Sequence, residues 1–184
     1  MNRIARAFVA LLTVLTLALG LSAAWRWWAG RAPAPTAAAP ADSAQAGTRA
    51  VTLWFADESG DSLVAETRDM LEQEDLHERV AALVAALDQG PSRHGLALLP
   101  AGTRALHVFL DDRGLLTLDL SRAFQQGFHG GTCAEDLAIG SLVRTLGGNL
   151  PGVKRVLIVC GGASLVSLGG HVPLDRPLET HDWY

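Results

Sequence analysis

Cysteine is nearly absent from this chain: Cys133 and Cys160 are the only two in 184 residues. Neither belongs to a C-x-x-C pair or a Cys/His group with zinc spacing, so no structural metal is indicated. No cysteine precedes Cys133, which excludes a bacterial lipid anchor, since that needs one directly after the N-terminal apolar run. Basic clusters are missing as well. Five arginines face a single acid, Asp42, before residue 50, and the rest of the chain carries 10 basic against 18 acidic residues, a balance of -8. An acidic domain repels a polyphosphate backbone, and no Lys/Arg stripe interleaved with aromatics offsets that, so nucleic acid is excluded as a partner.

Catalytic patterns are also lacking. Ser121, His171 and Asp175 supply the residue types of a nucleophile, base and orienter, but no G-x-S-x-G elbow surrounds Ser121. His77, His94, His107, His129, His171 and His181 are scattered without the i, i+4 pairing of a helical metal site. Asp57, Glu58 and Asp61 are acidic, yet the alternation and twelfth-position Glu of a calcium loop are missing, so a solvated turn is expected. His129-Gly130-Gly131 opens a helical pattern, whose first N–H groups suit an anion. It lacks the spacing and Lys of a phosphate loop, which leaves a tight turn. The expectation is a non-enzyme with no cofactor and no metal.

What is present begins with Ala7 to Ala24, a run of 18 uncharged, mostly apolar residues. As a helix rising about 1.5 Å per residue it covers roughly 27 Å, close to the hydrocarbon thickness of about 30 Å. Arg3 and Arg6 flank it on one side; Trp25, Trp27 and Trp28 form an interfacial belt on the other. A cleavable signal is the rival, because Ser22, Ala23 and Ala24 are small; the length of the run and the crowding tryptophans favour an uncleaved anchor. Residues 1–28 are thus expected to be a single-pass membrane anchor, with the following domain on the extracytoplasmic side. Residues 29–48, rich in Ala and Pro, read as a semi-extended spacer. Residues 49–184 form the folded domain.

Within that domain Ala50 to Ala56 reads as a strand ending in the turn cluster Asp57 to Gly60. Leu76, Val80, Leu83, Val84 and Leu87 repeat at helical spacing within Glu72 to Gln89, and Gly90-Pro91 supplies a stop. Arg104 to Leu110 and Leu115 to Leu120 flank Asp111-Asp112-Arg113-Gly114, the pattern of a β-hairpin. A second helix follows, with Thr132 as N-cap, Glu135 as its capping-box partner and Gly147-Gly148 as its end. Val153 to Cys160 is an apolar strand, and Ser164 to Leu168 a short return strand. The expected fold is α/β of α+β type: a two-layer sandwich in β-α-β-β-α-β order, with helices on one face of a mixed sheet.

These residues resemble a known family, the sporulation and spore-germination (GerMN) domain. The similarity runs in order over most of residues 50–178. It includes Phe55-Ala56-Asp57-Glu58, Glu66 with Arg68, Gly90-Pro91, and Leu99-Pro100-Ala101-Gly102-Thr103. It continues with Leu118-Asp119-Leu120-Ser121, Ser141-Leu142-Val143, Pro151-Gly152-Val153 and Leu168-Gly169-Gly170-His171. Cys160 and Pro173 depart from it where the family commonly carries acids, and Cys133 stands in a usually small polar slot. The resemblance implies a non-catalytic module of envelope-attached proteins that binds an envelope protein or a cell-wall component. The alternative is a self-assembling ring- or array-forming homo-oligomer.

One pairing is expected from connectivity. A crossover helix starts beside the end of the strand that follows it, which places Cys133 and Cys160 at the same end of the sheet. A disulfide between them would survive in an oxidising compartment.

Overall fold

The computed structural model describes residues 47–183, so the expected anchor and nearly all of the spacer lie outside the described residues. Among the described residues no helix is long and apolar enough to cross a membrane. The domain runs β1 (Thr48–Ala56), β2 (Leu63–Leu71), α1 (Leu76–Gln89), β3 (Ala105–Leu110), β4 (Leu115–Leu120), α2 (Ala123–Gln126), α3 (Thr132–Asn149), β5 (Arg155–Cys160), β6 (Ala163–Ser164) and β7 (Leu178–Glu179), and ends in a 3-10 turn at Thr180–Trp183.

β3, β4 and β5 form the expected mixed sheet, antiparallel between β3 and β4 and parallel between β4 and β5. β6 and β7 add short antiparallel pairings to β5. The period-2 alternation of strands sorts its two faces. Leu116, Leu118 and Leu120 of β4 and Val156, Ile158 and Cys160 of β5 are buried, in one core with Val80, Leu83, Val84 and Leu87 of α1 and Ile139, Leu142, Val143 and Leu146 of α3. On the opposite face Thr117, Leu157 and Val159 are half-buried and Phe109 is exposed. The helices therefore cover one face of this sheet, as expected.

The first strand departs from expectation. β1 does not join the mixed sheet; it pairs with β2 in a separate antiparallel hairpin, Val51 opposite Arg68 and Phe55 opposite Val64. β2 is hard to read from sequence, because Glu66, Arg68 and Asp69 interrupt its apolar residues. The other edge of β1 lies on α3, whose Ser141, Thr145 and Asn149 recur every four residues and so form one stripe along the helix. They bond the backbone of Thr52 and Trp54. Polar side chains here take the place of a neighbouring strand.

Helix boundaries shift for local reasons. α1 starts at Leu76, four residues later than expected. Asp75 caps it by accepting from Glu78 N at 3.0 Å, while Glu72 N still donates to Gly47 O at the end of the hairpin. Gly90, at φ 82°, ends α1 as expected. α3 runs through Gly147-Gly148 to Asn149 and ends only before Pro151, which cannot continue a helix. Of the expected return strand at 164–168 only Ser164 pairs, together with Ala163 before it.

Candidate functional site

The capping box expected at the start of α3 is not formed. Gly131 is the N-cap, and the Glu135 side chain turns away from the helix end into the protein, where it is fully buried. It accepts from Leu168 N and His171 N, both at 2.9 Å, and from His171 Nδ1 at 3.1 Å. Burial pushes its carboxyl pKa up, but the amides of Gly169, His171, Leu168 and Val172 outweigh that and hold it below the ordinary Glu value. Glu135 is thus an ionised clamp on the Leu168-Gly169-Gly170-His171 loop. Gly169 fits because a Cβ there would come within 3.1 Å of the carboxylate.

Asp119 repeats this device at the end of β4. It accepts from Gly162 N at 3.0 Å and from His107 Nδ1 at 3.1 Å, gripping the Gly161-Gly162 turn. Burial again raises its pKa, and the Gly162 amide and His107 more than reverse the effect. A third carboxylate, Glu66, accepts from Ser92 N at 2.9 Å and pairs with Arg68, which also donates to Gly90 O. Asp57 organises the β1–β2 turn: its bonds from the Ser59 hydroxyl and the Asp61 amide hold its pKa at about 2.

The candidate triad does not assemble. Ser121 Oγ donates to Gly102 O and accepts from Arg104 N, His171 binds Glu135, and Asp175 is exposed. Both cysteines are free. Cys133 is exposed, its Sγ 3.8 Å from Gly60 O in the β1–β2 turn, whereas Cys160 is buried under Ser121 O at 3.4 Å. The expected disulfide is absent because the side of α3 carrying Cys133 faces the β1–β2 hairpin, a layer that connectivity alone did not reveal. Burial raises the Cys160 thiol pKa. His129-Gly130-Gly131 leads into α3 as an irregular segment with Gly131 extended, not as the tight turn expected, and Asp57, Glu58 and Asp61 lie in the β1–β2 turn. His77 meets Leu106 O, His94 meets Glu58 and His181 meets Asp182. Among the described residues no group of three or more His, Cys, Asp or Glu side chains converges to hold a metal ion.

Sequence reasoning missed the clamp role of Asp119 and Glu135. A lone carboxylate within the apolar strand Leu115–Leu120 was the available signal for Asp119; Glu135 gave none, since a capping residue looks the same. A cavity of about 510 Å³ with mixed polar and apolar walls opens beside the Glu135 loop, lined by Asp136, His171, Arg176, Glu179, Asp182 and Trp183 among others. It holds donors, acceptors and a ring, but no Ser, Thr or Cys nucleophile.

The sequence profile of the family described as Germane, sporulation and spore germination, matches residues 52–166, more than half of the chain. The chain belongs to the Germane family. The Germane fold is similar to that of the tandem GerMN domains of the sporulation protein GerM from Bacillus subtilis, with a TM-score of 0.61 and 20% identity over 74% of this chain and 48% of that one. The chain therefore spans about half the length of that tandem pair. It is also similar to the first GerMN domain of the same protein (TM-score 0.59, 22% identity, 72% of this chain and 98% of that one). A protein from Clostridium perfringens is similar as well (TM-score 0.52, 24% identity, 74% and 90%). No curated protein matches the chain. The Germane match ends at residue 166, so the loop that Glu135 grips lies just beyond it.

Proposed function

We propose that this Germane protein is a non-catalytic binding module, tethered to the cell membrane by residues 1–28 and lifted off it by the spacer at 29–48, with its domain on the extracytoplasmic side. The observation that carries the binding role is the cavity at His171, Arg176 and Trp183. The buried carboxylates Glu135 and Asp119 are committed to the domain's own loops and do not enter the cavity. Arg176 suits a carboxylate, Asp136 and Asp182 accept hydroxyl donors, and an indole packs on apolar C–H surface. That combination fits a cell-wall glycopeptide.

Titration of the detergent-solubilised full-length chain with purified soluble cell-wall fragments tests this reading, with Arg176→Ala as the companion variant. Saturable binding that weakens at least tenfold in the variant is expected. Binding that ignores the substitution, or none at all, rejects the cavity as the site.

A further inference from the structure

One edge of β2 lacks a partner among the described residues. Thr52 and Trp54 turn their backbone groups to α3, and Ala56 turns its own to Leu96. The odd-numbered residues of β1 therefore bond to β2, where Val51 faces Arg68, Leu53 faces Glu66 and Phe55 faces Val64. The flanking bonds Asp57 N to Ser62 O and Glu72 N to Gly47 O keep this parity. Alternate residues of an antiparallel strand point their N–H and C=O groups to opposite sides. The backbone groups of Ala65, Thr67 and Asp69 thus face away from β1, and all three residues are exposed. Val64 and Leu71, two of the exposed large hydrophobic residues, lie on this same strand. A cavity of about 480 Å³ opens beside it, lined by Ala65, Glu66, Thr67, Arg68, Ser92 and Arg93.

The sequence of β2, LVAETRDML, matches its own reverse about Thr67 in charge and apolar character at every pair except Ala65 with Asp69. We propose that two copies of this chain pair edge to edge through β2, antiparallel about a two-fold axis at Thr67, to give a four-stranded sheet. In that register Glu66 of each copy lies opposite Arg68 of the other, Val64 opposite Met70, Leu63 opposite Leu71 and Thr67 opposite itself. Opposite charges and apolar residues directly across a ladder stabilise it, and like charges destabilise it. Moving the axis by one residue sets Glu66 against Glu66 or Arg68 against Arg68, so charge selects one register. The same charges discourage indiscriminate strand addition, the usual protection of an open edge. The two-fold symmetry closes the assembly as a dimer. This surface is separate from the His171 cavity.

Cross-linking through one introduced cysteine of the full-length chain in its own membrane, in a Cys133→Ser background that leaves only the buried Cys160, tests the pairing. Hydrogen-bonded partners sit about 5.5 Å apart at Cα, within disulfide reach. Thr67→Cys is expected to give a linked dimer on mild oxidation. Ala65→Cys or Asp69→Cys alone should not, since each meets its counterpart about 13 Å out of register along the strand. Co-expressed, those two should link to each other. Thr67→Pro removes an N–H that only the partner uses, so it should abolish the dimer while the monomer still folds, with the circular dichroism of the parent domain. A Thr67→Cys chain that stays monomeric, an Ala65→Cys chain that links equally fast alone, or a dimer that survives Thr67→Pro overturns the proposal.

Discussion

Asn149 holds the backbone of Thr52 with both ends of its amide: Nδ2 donates to Thr52 O at 2.7 Å and Oδ1 accepts from Thr52 N at 2.9 Å. The two residues are 97 positions apart, so this contact joins the end of α3 to the first strand. Asn149 Nδ2 also donates to Thr145 O, which fixes the amide plane.

Asn149→Leu keeps the size of the side chain and removes both bonds. Leaving the half-buried N–H and C=O of Thr52 without partners costs about 2 kcal/mol. Urea denaturation should show that loss, and a change under 0.5 kcal/mol would mean that water or a shifted backbone satisfies Thr52 instead.

Glu135 makes stability depend on pH. Its folded pKa lies below the ordinary value of 4.5, so its contribution is full above pH 4.5 and is lost as pH falls through the folded value. Asp119, held below 3.8, adds to the same acid-side loss. Glu135→Gln should destabilise the domain at pH 7 by about 2 to 3 kcal/mol, because an amide presents an N–H to one of the loop donors. Its stability curve below pH 4.5 should be flatter than that of the parent. An acid limb with unchanged slope would assign the effect to other carboxylates.

Gly95 sits at φ 122°, and a Cβ there would lie 2.5 Å from Ala56 O. Gly95→Ala should cost about 2 kcal/mol and break the Ala56–Leu96 bridge, since neither the conformation nor the approach suits a side chain. Faster hydrogen exchange at the Ala56 and Leu96 amides is the readout; protected amides in the variant would contradict it.

The two thiols should differ in reactivity. Cys133 is exposed, while burial shields Cys160 and raises its pKa, which keeps it from the reactive thiolate form. Alkylation of the native full-length chain followed by mass measurement should label Cys133 alone, and both after denaturation. A chain that takes up label only after reduction would restore the disulfide.

Periodicity and turn chemistry made most elements legible. The apolar spacing of α1, its Gly90 stop and the Asp111 to Gly114 hairpin loop lie where short-range rules put them, as does the apolar run of β5. β2 was not legible, because Glu66 and Arg68 pair with each other and with the backbone at Ser92 and Gly90 across more than twenty positions. Gly147-Gly148 misled for a related reason: the bonds of Asn149 hold the last turn of α3 together past two residues that usually end a helix.

The sequence by itself determined the Germane family pattern, the mixed β3-β4-β5 sheet with its helices on one face, and the acidic character of the domain. The family pattern is a resemblance in ordered motifs; the strands and helices follow from local rules, where spacing tells which side chains share a face. Only the tertiary structure decided that β1 stands apart on a polar stripe of α3, that Glu135 and Asp119 hold loops, and that Cys133 and Cys160 face different neighbours. Each of those outcomes depends on which backbone amide or carbonyl comes within hydrogen-bond reach across the fold, and a linear pattern does not carry that distance.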